Sequence, residues 1–400
     1  MPRAGWVRPA TDERLSDHVA VGILTKVFPP GLIDHVVAEL GRVEHRSRLL
    51  PAQLVVYYVL GLSLFSKNSY EDVIRMLVDG LAWAEGWPPP PTLPTKAALF
   101  KARMRLGAEP MRELFHAVAV PLARPGCSGA FYRGWRLMSL DTCGLEVAPT
   151  DENRRSFGPP PDAGVDSPAR LQLAGVAECG THALVGAVVG PPTMRDERLA
   201  LDLLERLEPG MLCFADEGFS AFPLFRKARA TGAELCWRAQ EAATLEATQR
   251  LGDGSFLSVY YASQRDRHHK TSGTVVRVID YADLDGRAPR GARFRLLTTI
   301  LDETAAPAAE LAAAYARRWE FSSTLRELEV QPKDEAPVLR SKVPVGVLQE
   351  AYACLCVHYA IRSAMTELGG VAARVRERSG TSYSPEAVRR AAASHPRSSS

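Results

Sequence analysis

Cysteine is scarce and unpatterned in this chain: seven in 400 residues, with no CxxC and no paired spacing. That excludes a disulfide framework and a cysteine-built zinc site, and it indicates buried free thiols in a reducing compartment. Cys213 and Cys236 sit in apolar, strand-like runs; Cys354 and Cys356 sit on a helix-like one. No apolar run is long enough to span a bilayer. The most apolar, residues 54–65, reads as a core helix, and the opening MPRAGWVRPATDE lacks a signal-peptide core. The sequence therefore predicts a cytosolic chain with no membrane partner. No GxSxG or HExxH motif marks a serine hydrolase or zinc protease, and no internal repeat marks a solenoid. The formal net charge of +3 is too small to establish nucleic acid as a partner by itself. Basic residues are mostly Arg, which suits bidentate phosphate contacts; a GC-rich genome produces the same bias.

What is present divides by texture. Residues 1–125 read as helical. Leu32, Val36, Val37 and Leu40 recur at helical spacing, Pro51 opens the apolar helix, and residues 70–81 repeat an amphipathic pattern. After a proline-rich break at 87–94, Thr95 caps a helix that Gly107 stops. That helix carries Lys96, Lys101, Arg103 and Arg105. It reads either as a DNA-contacting helix in a helix-turn-helix-like module or as the solvated basic face of a bundle helix.

Residues 126–238 change to an α/β texture. Strands are expected at 135–140, 145–148, 171–177, 183–189, 211–215 and 235–238, and helices at 195–207 and 221–230. A Pro- and Gly-rich loop is expected at 151–168. Strands first, then alternating helix and strand, predict an α/β sheet of mixed direction. Residues 239–305 are strand-rich, with runs at 256–261, 274–280 and 294–300. His268 and His269, read on a strand there, point apart, so a polar loop fits better than a metal site. Residues 306–368 supply two helices, at 308–329 and 347–368, and 369–400 form a polar, flexible tail.

Asp141 and Asp216 each close a short apolar strand and open a loop. Carboxylates at the ends of neighbouring parallel strands converge on one rim of such a sheet. Together they can bind Mg²⁺ or Mn²⁺, which take hard oxygen ligands. An Asp at a strand end also serves as an ordinary turn or cap residue.

Five blocks decide between these readings: LLPAQLVVYYVLGLSLFSKNSYEDVIRML, SLDTCGLEVAPTDENRRSFG, ECGTHALVGAVVG, GMLCFADEGFSAFPLFRKARATGAELCWR and LRSKVPVGVLQEAYACLCVHYAIR. In order and spacing they resemble the N-terminal domain, the first-aspartate region, the following strands, the second-aspartate block and the block after the catalytic helix of IS4-type DDE transposases. The resemblance implies a helical N-terminal DNA-binding domain and an RNase H-like core with a β-rich insertion. It implies metal-dependent DNA strand cleavage and transfer, with Asp141 and Asp216 as catalytic metal ligands. The partners implied are double-stranded DNA, as transposon ends and target, and a second copy of the chain assembled on it in the nucleoid.

The family's third signature is a helix bearing Tyr, Arg three residues on, Glu four after that and Lys seven further. Here those positions are Tyr315, Arg318, Ser322 and Glu329. They share one helix face, with Glu320 and Glu327 well round the other side. The resemblance implies DNA phosphate contacts for Tyr315, Arg318 and Lys342. The third catalytic acid is replaced by Ser322, a Glu stands at the Lys position, and Glu217 follows the second aspartate where Arg is usual. These departures predict impaired cleavage with DNA binding retained.

Overall fold

The computed structural model describes residues 15–43, 50–85, 87, 92–161, 164, 167–240, 243–282, 293–316, 318 and 339–379. Six helices come first: α1 (Leu15–Val27), α2 (Pro30–Glu39), α3 (Ala52–Leu64), α4 (Tyr70–Glu85), α5 (Lys96–Leu106) and α6 (Glu109–Val118). Helix α5 begins and ends where its local chemistry dictates. Thr95 Oγ1 accepts from Ala98 N at 3.3 Å, and Gly107 adopts φ 78°, a left-handed conformation that side chains resist. Helix α3 is buried on nearly every side, which is why its sequence is apolar all round.

One continuous sheet follows. Its strands are β1 (Phe131–Tyr132), β2 (Trp135–Glu146), β3 (Arg170–Glu178), β4 (Leu184–Gly190), β5 (Met211–Ala215), β6 (Glu234–Arg238), β7 (Gln249–Arg250), β8 (Phe256–Tyr260), β9 (Thr274–Ala282) and β10 (Arg293–Thr298). The spatial order is β4-β3-β2-β5-β6-β10-β9-β8-β7, with β1 paired to β2. Strands β2, β5 and β6 run parallel; β3 and β4 form an antiparallel meander on one side, and β10 pairs antiparallel with β6 on the other. The β4-β3-β2-β5-β6 half, with two hairpin-linked strands leading into a parallel centre, is the mixed-sheet core expected of an RNase H-like fold. The strand-rich segment after Arg238 extends this same sheet.

Helices α7 (Asp151–Ser156), α8 (Asp196–Leu201), α9 (Phe222–Arg229), α10 (Gln264–His269) and α11 (Ala308–Ala316) connect or flank the strands. The long α12 (Pro344–Ser379) closes the described chain. Alternate residues of the central strands face different cores. Met138, Leu140, Cys213 and Ala215 pack with α8 and α9, whereas Leu137, Leu212 and Phe214 pack with Leu311 and Tyr315 of α11. The N-terminal helices share one core with Leu171, Leu173 and Leu184 of the sheet and with Val347, Leu355 and Tyr359 of α12. Among the described residues no single helix is long and apolar enough to cross a membrane.

Several boundaries differ from the sequence reading. The strands expected at 135–140 and 145–148 are one strand, β2. It runs on past Asp141 because its pairing with β3 continues to Glu146↔Arg170, after its pairing with β5 has ended at Leu140↔Ala215. The expected loop at 151–168 contains α7, capped by Thr150 Oγ1 on Asn153 N. The helix expected at 195–207 is α8 followed by a 3₁₀ turn, Leu204–Arg206. His268 and His269 sit on the short helix α10, with ring centroids 5.1 Å apart, and not on a strand. The tail expected from 369 is helical as far as Ser379, because α12 continues.

Candidate active site

Asp141 and Asp216 meet at the point where the parallel pairing of β2 and β5 stops. Their predecessors, Leu140 and Ala215, are register partners, so the two aspartates take the next position on adjacent parallel strands. Asp216 closes its strand; Asp141 does not, and lies within β2. Each follows a residue that faces α8 and α9, so each side chain turns to the α11 side. There Arg318, two residues past the end of α11, meets both: its Nη1 lies 3.7 Å from Asp141 Oδ2 and 3.5 Å from Asp216 Oδ2.

Backbone donors hold each carboxylate on its other oxygen. Thr142 N donates to Asp141 Oδ1 at 2.8 Å, and Gly218 N donates to Asp216 Oδ1 at 3.0 Å. Asp216 thereby caps the 3₁₀ turn Glu217–Phe219. Burial pushes the Asp216 carboxyl up to about 6; the neighbouring charge of Asp141 adds to that, and Arg318 opposes it. Glu217, the residue that departs from the family pattern, pushes in the same direction as Asp141 and pairs with Arg238 at 3.2 Å.

A third acid, which the sequence reading passed over, lies nearby. Asp196, the first residue of α8, accepts from Gln172 Nε2 at 3.2 Å. Burial raises its pKa, hydrogen bonds from Gln172 and Thr142 oppose the rise, and the charge of Asp141 contributes to it. Asp196 and Asp216 both border Gly218. A Cβ there would stand 3.1 Å from Asp216 Oδ1 and 3.6 Å from Asp196 Oδ2. An acid opening a helix is a routine cap-region signal, so nothing in the sequence distinguished Asp196 from any other helix start.

The remaining expected site residues separate. Tyr315 is 2% exposed; its hydroxyl donates to Ala215 O at 3.2 Å, and its ring packs against Phe214 and Tyr281. It is a core residue that braces the end of β5, not a phosphate contact. Arg318 is also buried, at 3% exposure, with its guanidinium 5.4 Å from the Tyr315 ring centroid. Its partners are the two aspartates. Arg103 faces inward: its Nε donates to Gln349 at 2.9 Å, and its Nη2 reaches Ser341 at 2.9 Å and Glu350 at 3.1 Å. It ties α5 to α12 and is unavailable to DNA. Lys96, Lys101 and Lys342 are exposed. Lys96 pairs with Glu71 at 3.1 Å, and Lys96 and Lys342 line the same cavity. Glu320, Ser322, Glu327 and Glu329 lie outside the described residues.

The donor chemistry fits a hard divalent cation. Two carboxylates face one side at matched register, and Gly218 puts no side chain against Asp216 Oδ1, which a Cβ would crowd. The number of donors falls short of the family set. Among the described residues no three His, Cys, Asp or Glu side chains stand close enough to hold one ion.

The chain is similar in sequence to known proteins. The model described as insertion element 4 transposase N-terminal matches residues 18–116, and the model described as transposase DDE domain matches residues 171–321. Asp216, Tyr315 and Arg318 fall within the second span; Asp141 precedes it and Ser322 follows it. The transposase InsG for insertion sequence element IS4 of Escherichia coli (strain K12) is 27% identical over 344 residues, spanning 85% of this chain and 75% of that protein. The putative transposase InsZ of the same organism is 22% identical over 242 residues, spanning 59% of this chain and 77% of that protein. A cryo-EM structure of the piggyBac transposase synaptic complex with hairpin DNA aligns at a TM-score of 0.46 and 11% identity, covering 87% of this chain and 75% of that one.

Proposed function

Because the chain belongs to the IS4-type DDE transposases, we propose that it binds the ends of its element as double-stranded DNA and cuts and transfers them. The observation that carries this reading is the convergence of Asp141 and Asp216, from adjacent parallel strands, on one buried cation, Arg318. Two carboxylates brought together this closely repel unless a cation balances them. Arg318 supplies that balance from within the fold.

Asp141 and Asp216 are the residues that would hold Mg²⁺ or Mn²⁺. Such an ion, when bound, supplies charge stabilisation to the attacking and leaving oxygens of phosphodiester chemistry. The reaction is hydrolysis followed by transesterification. Water adds to phosphorus at the element's end, and the 3′ oxygen leaves and takes up a proton. The freed 3′ hydroxyl then attacks a target phosphodiester, and the 3′ oxygen it displaces is protonated in turn. The protein's part is to fix the carboxylates through Thr142 N and Gly218 N, and to brace the end of β5 with Tyr315.

DNA is held elsewhere, by exposed Lys96, Lys101 and Lys342, through phosphate contacts that carry no base information. Two copies assembled on the paired ends of an element, in the nucleoid, fit this reading. Ser322 removes the carboxylate that the family places third, so cleavage by this chain is slow.

The test is cleavage of a duplex carrying the DNA ends that flank its gene, with Mg²⁺ or Mn²⁺. Slow nicking that Asp141→Ala or Asp216→Ala abolishes is the expected result. Ser322→Glu, alone or with Glu329→Lys, should accelerate it. If neither the unmodified chain nor Ser322→Glu cleaves while the ends are still bound, the chain acts as a DNA-binding protein and the cleavage reading is overturned.

A further inference from the structure

Away from the two aspartates, a cavity of about 530 Å³ opens where α3, α4 and α5 meet the segment 340–343. It joins parts of the chain that lie more than two hundred positions apart in sequence. Leu339 brings the segment in by bridging to Val147 of the strand end, and Thr150 Oγ1 donates to Lys342 O at 2.8 Å. Among the described residues the wall contains Lys96, Arg103, Arg340 and Lys342 and no carboxylate. Two of these cations are engaged nearby, Arg103 by Glu350 and Lys96 by Glu71.

Arg340 is different. Its Nη1 donates to Asn68 O at 2.9 Å and its guanidinium lies 5.1 Å from the Tyr70 ring centroid, but its Nη2 is buried with no hydrogen-bond partner among the described residues. A buried guanidinium N–H without an acceptor is a position that an anion would satisfy. The lining also has an apolar and aromatic part, formed by Tyr58, Leu99, Phe100 and Met104. Phe100 is 50% exposed, uncommon for a phenylalanine in a folded chain.

An anion site beside an exposed aromatic face, in a space of this size, is the chemistry of one nucleotide. A duplex, which is far wider, cannot enter. We propose that this cavity is a nucleotide subsite, with phosphate on Arg340 and Lys342 and the base against Phe100 and Tyr70. The nucleotide is either free in solution or an unpaired unit of a bound DNA strand. The second source rests on the DNA-acting reading above; the first does not.

The experiment titrates the full chain against three fluorescent probes: 2-aminopurine deoxyribonucleoside monophosphate, the same nucleoside without phosphate, and a duplex with one unpaired 2-aminopurine at its end. Stacking in the cavity should quench the fluorescence saturably. Phe100→Ala and Lys342→Glu should each weaken binding at least tenfold, and the nucleoside should bind at least tenfold more weakly than the monophosphate. Both side chains are solvent-facing, and matching thermal melts would confirm that each variant folds. Saturable binding of the monophosphate assigns a free-nucleotide site; saturable binding of the duplex probe alone assigns the strand. No saturable quenching with any probe, or quenching that neither variant changes, overturns the proposal. Asp216→Ala separates the two readings. It should abolish cleavage and leave these titrations unchanged, so either reading can fail while the other stands.

Discussion

Asp216 stands in a conflict that its neighbours only partly relieve. Burial and Asp141 raise its pKa to about 6 from an ordinary value of 3.8, so the folded protein holds this proton more tightly than the unfolded chain does. The ionised form therefore costs stability above about pH 6, and the cost disappears as pH falls towards 4. Asp216→Asn should consequently stabilise the metal-free protein at pH 7.5, by roughly 2–3 kcal/mol for a shift of this size, and by progressively less down to pH 4. Thermal melts across that range check the slope; a gain independent of pH would assign the effect to packing. The same proton competes with a cation, so Mn²⁺ affinity measured by calorimetry should fall as pH drops through 6. Gly218→Ala offers a test that removes no charge. Its Cβ would crowd Asp216 Oδ1 at 3.1 Å, and no positive φ forbids the substitution. Mn²⁺ binding weakened tenfold or more with little loss of stability is the expected outcome, and unchanged affinity would show that the ion sits away from this side of Asp216.

Helix α5 turns its basic residues in two directions. Its cap and stop are local chemistry and were legible in the sequence, as was its positive charge. Which lysine or arginine faces water was not, because that depends on what packs against the helix. Arg103 is turned into a network with Ser341, Gln349 and Glu350, whereas Lys96 and Lys101 are exposed. Removing one partner of a buried ion pair leaves the other uncompensated, so Arg103→Ala should lower unfolding free energy by about 3–5 kcal/mol in urea denaturation. Lys101→Ala should leave stability within about 0.5 kcal/mol. In DNA binding the order reverses. Lys101→Ala should reduce the slope of log affinity against log salt by about one. A slope that does not change would remove Lys101 from the interface.

At the scale of the whole molecule, the N-terminal helices do not close a core of their own. Val21, Leu54, Leu77 and Leu114 share one cluster with Leu171 and Leu173 of β3 and with Val347, Leu355 and Ala360 of α12. A boundary near residue 125 therefore separates textures in the sequence and does not cut the core. A fragment of residues 1–125 should fail to show a cooperative thermal transition, because it loses the surface that α12 and β3 bury. The same fragment co-expressed with residues 126–400 should recover one. A sharp, independent melt of the short fragment would show that the helical layer is a true domain.

The sequence by itself determined the elements whose cause is local: the capped helix α5, the apolar α3, the strands β5, β8 and β10 to within a residue or two, and the α/β texture after the helices. Resemblance in five ordered blocks fixed the family and singled out Asp141 and Asp216. Tertiary structure decided what depends on partners. Strand β2 outruns its apolar stretch because hydrogen bonding to β3, not hydrophobicity, defines where a strand ends. Tyr315 and Arg318, for which the resemblance implied phosphate contacts, are buried because that helix face packs on β5 and meets two carboxylates. Asp196 came to lie near Asp216 through a turn containing Gly218, and Lys96, Arg340 and Lys342 came to share a cavity through a strand-end bridge. Both are long-range juxtapositions that chain closure creates and that no spacing along a single sequence encodes.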